Sequence, residues 1–188
     1  MARPRSDDRR NAIMAAAVRV IAAQGLAAPT ALIAKEANVS NGSLFTYFDT
    51  KSDLLNQLFV ELKTAMAEAA LSDLPAKKDC KRQLRHAWTQ WLHWATAHPE
   101  KRRALAYLSV SDEITPESHR IVGHALSGLV MLVEQSRASG PMRSAPLGLV
   151  MAVMNGVADA TMDFMMRDPA NADTHCKAAF EAAWRMIE

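Results

Sequence analysis

TALIAKEANVSNGSLFTYF, from Thr30 to Phe48, is the stretch whose reading decides the fold. It reads as two short helices, over 30–37 and 41–47, split by Asn38-Val39-Ser40. Pro29 stands just before the first. Ser40 is placed to cap the second, because a serine hydroxyl accepts from the free N–H groups of a helix's first turn. Small Ala34 and Ala37 allow two helices to approach closely. Leu44 and Phe48 lie one turn apart and share the buried face. Asn41, Gly42, Ser43, Phe45 and Tyr47 fall on the remaining surface, which carries no acid until Asp49. Two short helices joined by a tight turn form the helix-turn-helix pattern, whose second helix enters the DNA major groove.

The side chains on that surface suit nucleic acid. Asn41 and Ser43 can hydrogen-bond base edges, and an exposed Phe45 ring suits a thymine methyl. The hydroxyls of Thr30, Ser40 and Tyr47 suit phosphates, which take most protein–DNA hydrogen bonds. Lys51 opens the next helix, where free backbone N–H groups and the dipole already favour an anion. Arg3, Arg5, Arg9 and Arg10 add a salt-sensitive attraction that ignores base sequence. Spacing alone leaves a second arrangement open: an ordinary helical corner with Phe45, Tyr47 and Phe48 all in the core.

Outward from this stretch the pattern stays helical. Ser6 is the expected N-cap of a first helix, with Asp7 and Asp8 in its first turn, an apolar stripe of Ile13, Ala17, Val20 and Ile21, and a stop at Gly25. Thr50-Lys51-Ser52-Asp53 fits a capping box and opens a helix carrying Leu54, Leu55, Leu58, Phe59, Leu62 and Met66 to about Leu71. The periodicity breaks over 72–79. Five further helices are expected, over 80–97, 99–110, 116–138, 146–167 and 172–187, with stops at His98-Pro99, Thr115-Pro116, Gly140-Pro141 and Asp168-Pro169. Strand alternation and internal repeats are absent from the sequence. The expected fold is all-α: a helix-turn-helix head over 1–50 and a helical body over 51–188, joined by the 50–71 helix.

Composition supports this and removes alternatives. Of 188 residues, 49% are hydrophobic and 22% charged, which suits a globular chain and is too apolar for a disordered one. Cys80 and Cys176 lie far apart and read as free thiols. The net charge of +2 is unevenly spread: residues 1–51 carry +3 and the remainder −1. A basic front on a neutral rear fits a polyanion-binding head. The start of the chain is polar and charged, unlike a signal peptide. The 147–166 stretch approaches the length of a bilayer span, but Asn155, Asp159 and Asp163 interrupt it. It reads as a buried helix, and the protein as cytoplasmic with no membrane partner. The six His show no metal-ligand spacing, neither Cys has a near Cys partner, and no phosphate loop or nucleophile elbow occurs. Neither a metal, a cofactor nor an enzymatic activity is expected.

Residues 10–62 resemble the DNA-binding domain of the TetR family of transcriptional repressors. The likeness runs through Ala12-Ile13, Ala16-Ala17, Gly25, Thr30, Ile33-Ala34, Ala37 and Val39-Ser40. It continues through Gly42 to Phe48 and Lys51 to Leu55. Three departures stand out: Asn38 replaces a usual Gly, Phe45 replaces a usual Tyr and loses its hydroxyl, and the loop between Gly25 and Ile33 is one residue short. The resemblance implies that Thr30, Ser40, Tyr47 and Lys51 contact phosphates, and that Asn41, Gly42, Ser43 and Phe45 lie against bases. It also implies a rear domain that binds a small-molecule effector and forms a homodimer.

Over most of its length the chain resembles RamR-like multidrug-sensing repressors, in its Met-Ala-Arg-Pro start, Trp88/Trp91/Trp94 series, His98-Pro99 and the 161–169 segment. By that likeness Trp88 and Phe59 stack on flat hydrophobic ligands. The ligand's identity does not carry over, because the relatives have a carboxylate at Met151 and an aromatic at Met154. Three tryptophans at a spacing of three suit either a core or a pocket beside which Trp91 would sit. The helix with Met151, Met154, Met162, Met165 and Met166 suits either a promiscuous wall or plain gap filling. Asp159 in that apolar helix must meet a cationic ligand, an Arg, the partner subunit or solvent. The final stripe of Cys176, Phe180, Trp184 and Ile187 needs a covering surface, and Phe180, Trp184 and Ile187 are the expected dimer contacts. A dimer also provides two recognition helices for one palindromic operator. The expected function is ligand-responsive repression. The alternative is a helical small-molecule-binding or interaction module without sequence-specific DNA binding.

Overall fold

The computed structural model describes residues 3–75, 79–137 and 140–188, with side chains from residue 7 onward. All regular elements among them are helical: α1 (Arg3–Gln24), α2 (Thr30–Glu36), α3 (Asn41–Leu44), α4 (Lys51–Leu71), α5 (Cys80–Ala97), α6 (Pro99–Ser109), α7 (Pro116–Ala125), α8 (Ser127–Ser136), α9 (Leu147–Arg167) and α10 (Ala172–Ile187), with a 3₁₀ turn over Pro169–Asn171. The all-α fold is as the sequence implied.

The helices form two compact units, Met1–Thr64 with His98–Gly123 and Ala65–Ala97 with His124–Glu188. The division differs from the expected border at 50/51. Helix α4 belongs to both units, and residues 98–123 return to the first. Apolar periodicity runs unbroken along α4, so nothing local in the sequence marks where its packing partners change.

In the first unit α1 packs on α2 and α6, and α2 on α3. Ile13, Ala17, Ile21, Ile33, Leu44 and Phe48 are at most 1% exposed, confirming the stripe read from α1 and the shared face of Leu44 and Phe48. Apart from Ala17, each of these large apolar side chains contributes roughly 1.5–3 kcal/mol on burial. Asn56 binds α4 to the segment leading into α7. Its Nδ2 donates to the carbonyls of Ser52 and Glu113, both at 2.8 Å, and its Oδ1 accepts from Thr115 N–H at 2.8 Å and Ser118 Oγ at 2.7 Å.

In the second unit α10 packs on α9 and α5, and α5 on α8 and α9. The core holds Trp88, Leu92, Met154, Met162, Phe180 and Trp184. Buried Arg137 ties down the segment before α9: it donates to the carbonyls of Met142 at 3.0 Å and Ala145 at 2.6 Å while gripping Glu134 with two nitrogens. Gly140 passes so close to the chain's end that an added Cβ would lie 2.2 Å from the Ile187 carbonyl oxygen. Only glycine fits there.

Three boundaries depart from expectation. Helix α1 begins at Arg3, so Ser6 lies inside it and not at its cap. The helix expected over 116–138 breaks at Leu126, next to Ser127-Gly128, a pair that weakens helix continuity. Helix α3 ends at Leu44, because Thr46 and Tyr47 N–H groups bond back three residues, to Ser43 and Leu44, in the tighter 3₁₀ pattern.

Candidate functional site

Local chemistry shapes the head. Ser40 Oγ accepts the N–H of Ser43 at 3.0 Å, the cap expected from its position. Asn38 adopts φ +56°, the left-handed conformation the turn requires and asparagine tolerates. Thr50 Oγ1 accepts from Asp53 N–H at 3.0 Å, and the Asp53 carboxylate accepts from Asp49 N–H at 3.1 Å, which starts α4 as the capping pattern predicts.

With Leu44 and Phe48 sealed inside, Asn41, Gly42, Phe45 and Thr46 are exposed, and Ser43 and Tyr47 are half-buried. Phe45 is 40% exposed, which excludes the corner with all three aromatics in the core. An added Cβ at Gly42 would meet nothing within 4 Å, so no packing within the chain demands glycine there. Its smallness instead leaves room outside, where another backbone or a base edge can approach.

Thr30 is half-buried at the start of α2. Lys51 Nζ donates to the Leu26 carbonyl at 2.6 Å, fixing α4's first residue to the loop after α1. An ammonium has three donors, so this bond leaves capacity for a phosphate. Arg9 is exposed. Arg10, expected to serve phosphates, instead lies 5.7 Å over the Phe48 ring and donates to Gln57 Oε1 at 3.0 Å and Glu61 Oε2 at 3.4 Å. Partner groups from α4, far off in sequence, draw it inward. The side chains of Arg3 and Arg5 lie outside the described residues.

The second unit contains a half-open apolar cavity of about 50 Å³. Trp88, Trp91, Met151 and Met154, four of the expected ligand residues, line it together. Ala70 of α4, Leu129 and Val133 of α8, and Asn155 of α9 complete the wall; sequence reading did not single these out for ligand contact. Trp91 meets Trp88 edge-on at 6.0 Å, and Trp88 Nε1 donates to the Cys176 carbonyl at 3.3 Å. Phe59 and Asp159 are not in the wall. Phe59 is 2% exposed in the core of the first unit, edge-on to His119 at 5.3 Å. Asp159 is exposed on α9, so it bears no burial cost that a ligand would have to relieve.

Phe180, Trp184 and Ile187, expected to face a second subunit, are 1%, 8% and 0% exposed within the single chain. The α10 stripe is covered by α9 and α5, and Arg85 and Lys81 lie over the Phe180 and Trp184 rings while pairing with Glu181. That pairing holds Glu181 below the usual carboxylate range, Lys81 being the larger cause.

A stretch of exposed apolar surface lies on the other side of α9. This helix is long and apolar enough to cross a membrane by length and composition, yet only 33% of its apolar window is buried. Leu149, Ala152, Gly156, Ala160 and Phe164 form an exposed stripe at helical spacing. Gly156, Val157, Ala160, Phe164, His175 and Ala178 line an open groove of about 510 Å³ along α9 and α10. At its end His175 Nε2 meets Asp168 Oδ2 at 2.9 Å, and this bond, with the Asn171 amide, holds the Asp168 carboxyl below its usual range. Burial pushes the Cys176 thiol up. Among the described residues no cluster of His, Cys, Asp or Glu is arranged to hold a metal ion.

Residues 13–58 match the family model of bacterial regulatory proteins of the tetR family. A TetR family transcription regulator from Marinobacter aquaeolei VT8 shares 27% identity, with 98% of each chain covered and a TM-score of 0.87. One from Shewanella sp. PV-4 shares 28% identity over 94% of this chain and 96% of that one, with a TM-score of 0.83. The regulator FadR from Bacillus subtilis, solved with stearoyl-CoA, shares the fold at 20% identity and a TM-score of 0.70 over 95% of this chain and 100% of its own. The matched segment contains the capped, surface-polar α3 and its supporting helices, and the two regulators share the fold almost end to end. The chain is therefore similar to TetR family transcription regulators, in a matched helix-turn-helix segment near its N-terminal end and in its overall fold.

Proposed function

We propose that this protein is a ligand-responsive repressor, a homodimer that holds a palindromic operator and releases it when a hydrophobic small molecule enters the Trp88 cavity. The observation that carries the reading is the course of α4. Its first residue, Lys51, stands beside the recognition segment, and Ala70 near its end is part of the cavity wall. At 1.5 Å per residue, the stretch of α4 between them measures roughly 30 Å of helix. A ligand that displaces the Ala70 end moves the Lys51 end.

In this reading Asn41, Gly42, Ser43 and Phe45 read bases while Thr30, Ser40, Tyr47 and Lys51 hold phosphates. Trp88, Trp91, Met151 and Met154 contact the effector, and the sequence likeness to RamR-like multidrug-sensing repressors supports a broad hydrophobic specificity. The exposed α9 stripe, with the open α10 flank, receives the same surface of a second copy and forms a four-helix interface. Dimerisation sets the two recognition helices about 34–36 Å apart, one DNA turn. Ligand binding shifts the population toward a spacing the operator does not accept, and by linkage the operator weakens ligand binding by the same factor. Operator binding implies a cytoplasmic location.

Gel shifts with the DNA upstream of the protein's own gene test this. Expected are binding that falls steeply with salt, a loss on all sequences in Lys51→Ala, and relaxed selectivity in Asn41→Ala. Equal affinity for operator and scrambled DNA would leave only a ligand-binding module.

A further inference from the structure

Which bases α3 can distinguish follows from what its surface carries and what it lacks. Between Lys35 and Lys51 the chain has neither a lysine nor an arginine. Lys35 belongs to the last turn of α2, before the turn into α3, and Lys51 Nζ is bonded to the Leu26 carbonyl. The commonest reader of guanine, a cationic side chain on its O6 and N7, is therefore missing from the recognition surface. A carboxylate to accept from the cytosine amino group is missing from α3 as well. Glu36 is paired with Arg19 at 2.7 Å, and Asp49 lies beyond Phe48.

What α3 does turn outward is one amide and one ring. Asn41 is exposed, and its side chain makes no hydrogen bond among the described residues. A carboxamide donates and accepts side by side, which matches the N6 and N7 of adenine. Phe45, 40% exposed, follows four residues on, and its N–H bonds the Asn41 carbonyl at 3.4 Å. The two side chains thus share a face about 6 Å apart along the helix, so they meet base pairs that are close neighbours. A phenyl ring offers no hydrogen bond, and the apolar group that major-groove edges present is the thymine 5-methyl. Thr46 adds little polarity, since its Oγ1 donates to the Ser43 carbonyl at 2.7 Å. Ser43 is half-buried, and a hydroxyl serves either kind of base pair. Gly42, beside Asn41, has no side chain to hold the groove away from either contact.

We propose that the recognition segment reads A·T pairs: Asn41 bonds an adenine, Phe45 covers the 5-methyl of a neighbouring thymine, and α3 reads no guanine. The proposal rests on the reading of α3 as the recognition helix of an operator-binding repressor.

The test alters the DNA before the protein. Operator sites are selected from a random duplex library with the full-length protein, and single thymines are then replaced by deoxyuridine, which keeps every hydrogen bond and loses only the methyl. At one thymine of a half-site the replacement should weaken binding about fourfold, the size of one buried methyl group. Phe45→Ala should bind the thymine and uracil operators equally. Asn41→Ala should lose at least about fivefold in discrimination between A·T and G·C at a neighbouring pair. Both side chains are exposed, so each variant should keep the wild-type circular dichroism spectrum. Methyl loss without effect at every thymine, in DNA still bound specifically, would overturn the proposal. A guanine required at the pairs that respond to Asn41→Ala or Phe45→Ala would overturn it too. Either result leaves the operator-binding reading standing. Equal affinity for every duplex in the library, with no sequence selected, would overturn both.

Discussion

Helix α3 buries one large side chain, Leu44, and turns Asn41, Gly42 and the following Phe45 to solvent. Helix α9 buries Val150, Met154, Ala158, Met162 and Met165 and still exposes a second apolar stripe from Leu149 to Phe164. In the head the chain's own core takes up Leu44 and Phe48, so what remains outside is polar apart from Phe45 and can be read directly as a surface for DNA. In the body they outnumber what the chain can cover. One stripe makes the core and the other stays exposed, and residue type alone does not say which is which.

Substitutions can break or sharpen that contrast. The largest effect is expected from Phe180→Ala, which should lower unfolding free energy by about 3–5 kcal/mol in urea denaturation, as for a fully buried aromatic. Self-association of the folded fraction should stay unchanged; a specific loss of dimer would restore Phe180 to the interface. Ala160→Glu should do the reverse, raising the dimer dissociation constant by at least about 100-fold, or about 2.7 kcal/mol, in sedimentation experiments. Its secondary structure should be untouched, because the side chain is exposed on the single chain.

In the head, Gly42→Ala should weaken operator binding about tenfold, the size of one lost base contact. Its melting temperature should hold, since nothing within the chain opposes a Cβ there. A destabilised but fully DNA-competent variant would refute the reading of α3. The smallest effect concerns pH. Asp168 is held below its usual range by His175, so the pair's stabilisation is present above an unfolded aspartate's pKa of about 4 and lost as pH falls through the lower folded value. The melting-temperature gap between wild type and Asp168→Asn should therefore narrow below about pH 4. A gap that stays constant to pH 2 would show that the carboxylate–imidazole bond adds nothing.

The head was legible because its determinants are local. Ser40 caps the residue three positions on, Asn38 takes its left-handed turn, and Leu44 and Phe48 share a face by helical period alone. Arg10 escaped that logic: its destination is set by Phe48, Gln57 and Glu61, 38 or more residues distant. Asn56 escaped it for the same reason, since three of its four partners lie in the segment before and at the start of α7. Leu129 and Val133 entered the cavity wall unannounced, because the break before α8 that turns them toward Trp88's side follows from one Ser-Gly pair within an otherwise continuous helical pattern. Phe59 and Trp88 look alike as aromatics on neighbouring helices, yet they belong to different units.

By itself the sequence determined the all-α architecture, the helix-turn-helix and its capping residues, since all of these depend on residues within a few turns of one another. Tertiary structure alone decided which tryptophan and methionine side chains share a cavity, that Asp159 stays outside it, and which of two apolar stripes on α9 and α10 remains open. Periodicity specifies that a helical face must be covered. What covers it depends on contacts between residues far apart in the chain, and those exist only once the helices have packed.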